Sequence, residues 1–294
     1  MAQIKKVDQG LITSKALLRK SRIRPRKRLG QNFLEDPAVI ETIISHAGFD
    51  KNDVVVEIGS GLGALTIPIL PSIYHMVAVE KDLLLLTTLK ERLSEKEKGK
   101  ITFISGDALK INFNKIYDTF HQKIRIIGNL PYNISSPFLE KLITNREYIK
   151  NAILMFQYEF AKRLTGRPQS KEYSALSVIC QYYATLSPLI KIKRDAFYPK
   201  PKVDSMVLEM DFTKPYHLRA KNDVMFRKTV RAAFSCRRKT ILNSLEKGAV
   251  PLPREIIAKA LTKCLIDPKR RAETLSIDEY IQLSSVLMPN KTIP

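Results

Sequence analysis

The stretch Asp53-Val54-Val55-Val56-Glu57-Ile58-Gly59-Ser60-Gly61-Leu62-Gly63-Ala64 constrains the fold more than any other. A short apolar run bounded by glycines reads as a buried strand, and the glycine-rich turn after it reads as the entry to a helix. Glycines at such a turn let the backbone approach a ligand closely, while the helix offers its N-terminus. The expectation is an α/β protein with a ligand crevice at the strand ends. Pro68, inside the expected helix, should kink it.

The turn points to a nucleoside cofactor without saying which. Gly59-x-Gly61-x-x-Ala64 fits a dinucleotide fingerprint, and Glu80 lies at a suitable distance for a ribose contact in either case. The compact Gly59-x-Gly61-x-Gly63 form and Glu57 just upstream argue for S-adenosylmethionine, because a carboxylate suits an ammonium-bearing amino acid better than a pyrophosphate. Strand-like runs at 76–80, 101–104 and 124–129 end at or just before Glu80, Asp107 and Asn129. Glu80 can accept from both ribose hydroxyls, and Asp107 is placed to accept from an adenine amine, although Gly106-Asp107 is also a common turn pair. Strand C-termini line one crevice, so the three side chains are expected to share it. A helix is expected over 82–98.

The run from Ile124 continues into Asn129-Leu130-Pro131-Tyr132-Asn133. Asn129 can accept a hydrogen bond through its side-chain oxygen, while Pro131 forces Leu130 out of the helical region and so fixes where its carbonyl points. Two acceptors could then grip one exocyclic NH2 group. The Tyr132 ring can stack on a base, an interaction worth roughly 1–3 kcal/mol. An ordinary strand-to-loop turn is the alternative reading, since Asn and Pro are common turn residues. Phe197, in the proline-punctuated loop 197–205, could cover the second face of that base or could plug the space beneath the loop. Spacing supports both equally.

Asp36 followed by Pro37 is a good helix start. Further helices are expected at 137–143, from 157 to 164 and around 175–183, with strands at 151–156, 189–193 and 205–212. Lys214-Pro215 marks a boundary, beyond which apolar residues recur at helical spacing. The organisation expected is a basic arm over 1–23, an α/β domain over 24–213 and a helical domain over 214–294. From Met1 to Gly30 ten basic residues stand against the single acid Asp8, which reads as a flexible basic arm, with an organellar transit peptide as the alternative.

A formal net charge of +21 favours a polyanionic partner: RNA, DNA or an acidic membrane surface. Arg227, Lys228, Arg231, Arg237, Arg238 and Lys239 lie close together like a phosphate-tracking surface. Cys180, Cys236 and Cys264 form no CxxC pair and the four histidines lack ligand spacing, so neither a disulfide framework nor a metal site is indicated. A reducing compartment, the cytoplasm, is expected. No apolar run reaches the length of a membrane span. A monomer is the default.

Taken together, these stretches resemble the ribosomal RNA small-subunit adenine N6,N6-dimethyltransferases. The resemblance rests on residues 29–34, 57–66, 129–133, 157–164, 197–205 and 233–240, in the family's order from about Arg24 onward. It implies a seven-stranded class I methyltransferase (Rossmann-like) sheet with a small all-α C-terminal domain that helps dock RNA. It also implies a cofactor site for S-adenosylmethionine carried by Asn32, Leu34, Gly59, Gly61, Glu80, Asp107 and Asn129. The target amine would meet Asn129 and Leu130, aimed by Pro131, with Tyr132 and Phe197 stacking. The implied substrate is two adjacent adenosines in the loop of the 3′-terminal helix of small-subunit rRNA. Departures are Ser60 where proline is usual, the unexpected Pro68 and the length of the arm. A large-subunit rRNA methylase of the antibiotic-resistance type and a noncatalytic RNA-binding factor on the same scaffold are the rival readings.

Overall fold

The computed structural model describes residues 14–248 and 252–288. Nine strands are found among them: β1 (Phe33–Leu34), β2 (Val54–Ile58), β3 (His75–Glu80), β4 (Ile101–Ser105), β5 (Ile124–Asn129), β6 (Ile149–Gln157), β7 (Thr185–Ile192), β8 (Phe197–Tyr198) and β9 (Ser205–Asp211). Seven of them form one sheet in the order β4-β3-β2-β5-β6-β9-β7. The five from β2 to β6 run parallel, and β9 lies antiparallel between β6 and β7. The order reverses between β2 and β5, and in open sheets of this kind ligands bind beyond the strand ends at that reversal.

The apolar runs form strands because both sheet faces are covered. Val54, Val56 and Ile58 face one core cluster, while Val55 faces the other with Met76, Ala78 and Ile127. This alternation is the two-residue period of a strand. Gly128 is required where β5 crosses Ile58, since a Cβ there would stand 2.5 Å from the Ile58 carbonyl oxygen. At the opposite end of the sheet, buried Arg125 donates to Asp53 at 2.6 Å, to Asn151 at 2.9 Å and to the carbonyls of Ala47 and Gly48. Those bonds fix the helix Pro37–Ala47, which starts as expected with Asp36 accepting from the Ala38 and Val39 amides.

Several expectations need correction. The chain from Ser14 on is not a free arm: Ser14–Lys20 is helical, and Leu17 and Leu18 are buried with Ile23, Phe33, Leu62 and Leu85. Residues 1–13 lie outside the described residues. Pro68 kinks nothing, because the helix it enters is a single turn, Thr66–Ile69, that passes into a 3-10 turn at Leu70–Ser72. Within a first turn a missing N–H costs little. The helix expected over 82–98 is two, Leu83–Glu91 and Glu95–Lys98, separated where Ser94 starts a new capping box with Glu97.

Beyond β9 the chain is helical at Asp223–Ala233, Ile241–Lys247, Arg254–Lys263 and Ile277–Val286. These helices pack on one another, and their core is continuous with that of the sheet. Phe226, Val230, Leu245 and Tyr280 belong to the same buried cluster as Val54 and Ile126. Phe226 stacks on Tyr182 with ring centroids 4.1 Å apart. Glu140 takes both Arg227 and Arg231, so two of the six cations expected to track phosphates are committed to this junction.

Candidate functional site

Seven residues expected at the cofactor site come together. Asn32, Leu34, Gly59, Gly61, Glu80, Asp107 and Asn129 all line one cleft at the C-terminal ends of β2, β3, β4 and β5, together with Glu57 and Pro131. Gly59, Gly61 and Gly63 have φ of 74°, 53° and 86°, values that glycine adopts without the strain a Cβ would bring. A Cβ on Gly61 would meet the Phe33 ring at an ordinary 3.4 Å, so it is the positive φ rather than crowding that favours glycine there.

Each acidic side chain is held by the turn next to it. Glu80 accepts from the Gly61 amide through Oε2 and from the Asp82 amide through Oε1, both at 2.9 Å. Burial raises its pKa, and those amide bonds oppose the rise. A carboxylate has about four acceptor positions, so Glu80 keeps acceptor capacity for a ligand. Asp107 accepts from Lys81 Nζ at 2.8 Å and from the Leu109 amide at 3.0 Å, and these bonds hold its carboxyl below the usual range. Glu57 is 2% exposed and accepts from the Thr66 hydroxyl; burial pushes its pKa up to about 8.

Asn129 stands at the end of β5, where its Nδ2 donates to the Asn32 carbonyl at 2.8 Å. A carbonyl can only accept, so the nitrogen must be the atom facing Asn32, and Oδ1 is turned the other way. Leu130 is 1% exposed and packs in the core; its neighbours Asn129 and Pro131 line the cleft, and Leu130 does not. The Pro131 ring packs against Gly30, whose φ of 62° and missing Cβ allow the approach. Tyr132 opens a 3-10 turn, half-buried, and its hydroxyl shares a 2.8 Å hydrogen bond with Ser205 Oγ at the start of β9.

Phe197 is not a stacking wall here. It is 4% exposed, packs in the core with Ile43, Met155 and Val207, and pairs through β8 with Leu34 of β1. Of the two readings left open by spacing, the structure shows the plug. An aromatic ring in that position gains more by filling the space under the loop than it would at the surface.

Some contributors have partners that the sequence does not reveal. Thr66 matters because it holds Glu57, and Ser205 because it holds Tyr132; both lie in stretches that carry the resemblance, but nothing in the sequence pairs them with those partners. Gln31 reaches Asp82 at 3.1 Å across 51 residues of sequence. The two-stranded pairing of β1 with β8 is too short to show in a hydrophobic pattern. Among the described residues no cluster of three or more His, Cys, Asp or Glu could hold a metal, and no helix is long and apolar enough to cross a membrane.

This sheet order, with a glycine turn at the reversal and acidic strand ends around one cleft, defines a class I S-adenosylmethionine-dependent methyltransferase. The family described as "Ribosomal RNA adenine dimethylase" matches residues 22–288. "Ribosomal RNA small subunit methyltransferase A" of Desulforapulum autotrophicum is 44% identical, over 92% of this chain and 95% of its own. The protein of that name from Clostridium botulinum (strain Okra) is 39% identical, over 94% of this chain and 98% of its own. A dimethyladenosine transferase from Plasmodium falciparum superposes with a TM-score of 0.70 at 25% identity, covering 85% of this chain and 95% of that one. The 23S rRNA methyltransferase ErmE, at 24% identity and a TM-score of 0.67 over 87% of this chain and 99% of its own, shares the fold. The chain belongs to the ribosomal RNA adenine dimethylase family, and it is an S-adenosylmethionine-dependent rRNA adenine dimethyltransferase.

Proposed function

We propose that this enzyme methylates N6 of two adjacent adenosines in the loop of the 3′-terminal helix of small-subunit rRNA during assembly of the subunit. The observation that carries the reading is the Asn129 amide, whose nitrogen is held by Asn32 so that its oxygen is presented at the lip of the cofactor cleft. Relatives of about 40% identity over nearly the whole chain, all of small-subunit name, support the choice of RNA.

The residues present fit the cofactor. Glu80 has acceptor capacity to spare for a ribose hydroxyl, Asp107 for an adenine amine, and buried Glu57 for an ammonium group. When bound, S-adenosylmethionine supplies an electrophilic methyl group on a sulfonium. Asn129 Oδ1 and the Leu130 carbonyl accept from the two N–H bonds of the target amine. An adenine N6 lone pair is delocalised into the ring, and two acceptors on its hydrogens favour the pyramidal geometry that frees it. This is orientation plus fixed dipoles, not base catalysis. The proton leaves N6 after the nitrogen has become positive, so no strong base is required. Tyr132, anchored through its hydroxyl, supplies the ring on which the base stacks, and Phe197 supports the wall from beneath.

A base can enter such a pocket only when it leaves its stack, which a single-stranded loop permits cheaply. The compartment proposed is the cytoplasm, where the immature subunit is found, and a monomer suffices because one chain supplies every group invoked. Incubating the protein with labelled S-adenosylmethionine and immature small subunits, then mapping the modified bases, tests the reading. Label on two adjacent adenosines is the expected result. Label on large-subunit RNA alone, or RNA binding without transfer, would instead favour one of the rival readings.

A further inference from the structure

Two neighbouring residues of the segment between Gly30 and Phe33 reach opposite walls of the cleft. Gln31 Nε2 donates to Asp82 Oδ2 at 3.1 Å, and Gln31 Oε1 accepts from the Arg26 amide at 2.7 Å. Asn32, the next residue, receives Asn129 on its carbonyl. Asp82 is a rigid post, with a side chain only 1% exposed. Its Oδ1 accepts from the Leu84 amide at 3.2 Å, and its own amide donates to Glu80. A line of hydrogen bonds therefore runs from Glu80 through Asp82 to Gln31, then across one peptide unit to Asn32 and Asn129.

We propose that Gln31 is a positioning residue for methyl transfer. By tying its segment to Asp82, it fixes the Asn32 carbonyl and so the plane of the Asn129 amide. After Asn32 the segment is held by the pairing of Phe33 and Leu34 with Tyr198 and Phe197; before it, the other ties do less. Arg26 Nη1 also lies 3.3 Å from Asp82, but its side chain is 41% exposed, and a half-solvated ion pair restrains geometry weakly. The Asn32 side chain donates only to Gly30, inside the same segment. On that side of Asn32, among the described residues, Gln31 offers both a directional bond to the far wall and a second one that braces the turn from Arg26. Since the Asn129 plane is set by one hydrogen bond, any drift of the Asn32 carbonyl carries Oδ1 with it. A misplacement of about 1 Å is enough to cost on the order of a hundredfold in rate.

The inference rests on Asn129 holding the target amine, and the test separates the two. Gln31→Met keeps the side-chain length and loses both bonds; Gln31→Glu keeps the acceptor for Arg26 but sets a second carboxylate against Asp82. Three quantities are measured: methylation kinetics on small subunits, S-adenosylhomocysteine affinity by calorimetry, and amide exchange at Arg26. In Gln31→Met, kcat should fall about tenfold or more with the RNA KM little changed. Cofactor-product affinity should fall less than kcat, and Arg26 exchange should rise. Gln31→Glu should retain Arg26 protection better and still lose at least as much kcat. Wild-type kcat in Gln31→Met overturns the proposal. Asn129→Ala is assayed alongside: activity there defeats the reading of Asn129 itself, whereas an inactive Asn129→Ala beside an unimpaired Gln31→Met defeats only the role of Gln31.

Discussion

Asn129 Nδ2 donates to the Asn32 carbonyl at 2.8 Å, across 97 residues of sequence. This single bond decides which end of the amide faces the substrate. Without it, the nitrogen and oxygen of the side chain could exchange places, and the site would offer a donor where the target amine needs an acceptor. The remaining contacts of the segment, Glu35 N–H to the Ala196 carbonyl at 2.8 Å and the pairing of Leu34 with Phe197, keep the Asn32 backbone over the cleft.

The Tyr132 ring and hydroxyl should separate cleanly by mutation. Tyr132→Phe removes the bond to Ser205 and should cost only a few-fold in methylation, because the ring is kept. Tyr132→Ala should lose roughly 1–3 kcal/mol of transition-state stabilisation, measured as kcat/KM on small subunits. If both variants behave alike, stacking is not what the ring contributes.

Buried Glu57 gives the cofactor-free protein a specific pH dependence. Its carboxyl, raised from 4.5 to about 8 in the folded chain, holds a proton that the unfolded chain has released in that window. Stability from this group is thus fully present below about pH 4.5 and is lost as pH rises towards about 8. The slope can reach about 1.4 kcal/mol per pH unit. Urea unfolding between pH 5 and 8 should show the decline in wild type and a shallower one in Glu57→Gln. Glu80, also raised by burial, leaves a residual slope of the same sign. An unchanged slope in Glu57→Gln would remove Glu57 as its source.

The basic surface of the C-terminal helices should divide into two functional groups. Arg227 and Arg231 are held by Glu140, whereas Arg238 and Lys239 are exposed. Replacing Arg238 and Lys239 by Ala should weaken binding to small-subunit RNA and reduce its salt slope by about one for each phosphate that is no longer neutralised. Replacing Arg227 by Ala should lower the melting temperature and leave the salt slope unchanged. The reverse pattern in titrations from low to high salt would mean that Glu140 does not sequester the pair.

What the sequence reveals follows from how local each feature is. Glu80, Asp107 and Asn129 are legible because each ends a run whose apolar character already marks a strand, and the rules of open sheets then bring the ends together. Positions whose meaning depends on a distant partner are not legible. Arg227 and Arg231 look like free cations until Glu140, 87 and 91 residues away, is placed beside them. Phe197 is ambiguous for the same reason: whether it plugs or stacks depends on Ile43 and Met155, both far from it in sequence, as well as on Val207. The basic segment from Ser14 on reads as an arm because charge dominates its composition, yet Leu17 and Leu18 suffice to seat it.

Replacing Asn129 by Ala tests the central claim most directly, with methyl transfer and RNA binding measured on the same preparation. The amide oxygen is removed while the backbone of β5 and the basic surface are kept. Methylation of small-subunit adenosines should be abolished, with RNA affinity within a few-fold of wild type. Turnover close to wild type in Asn129→Ala would contradict the account.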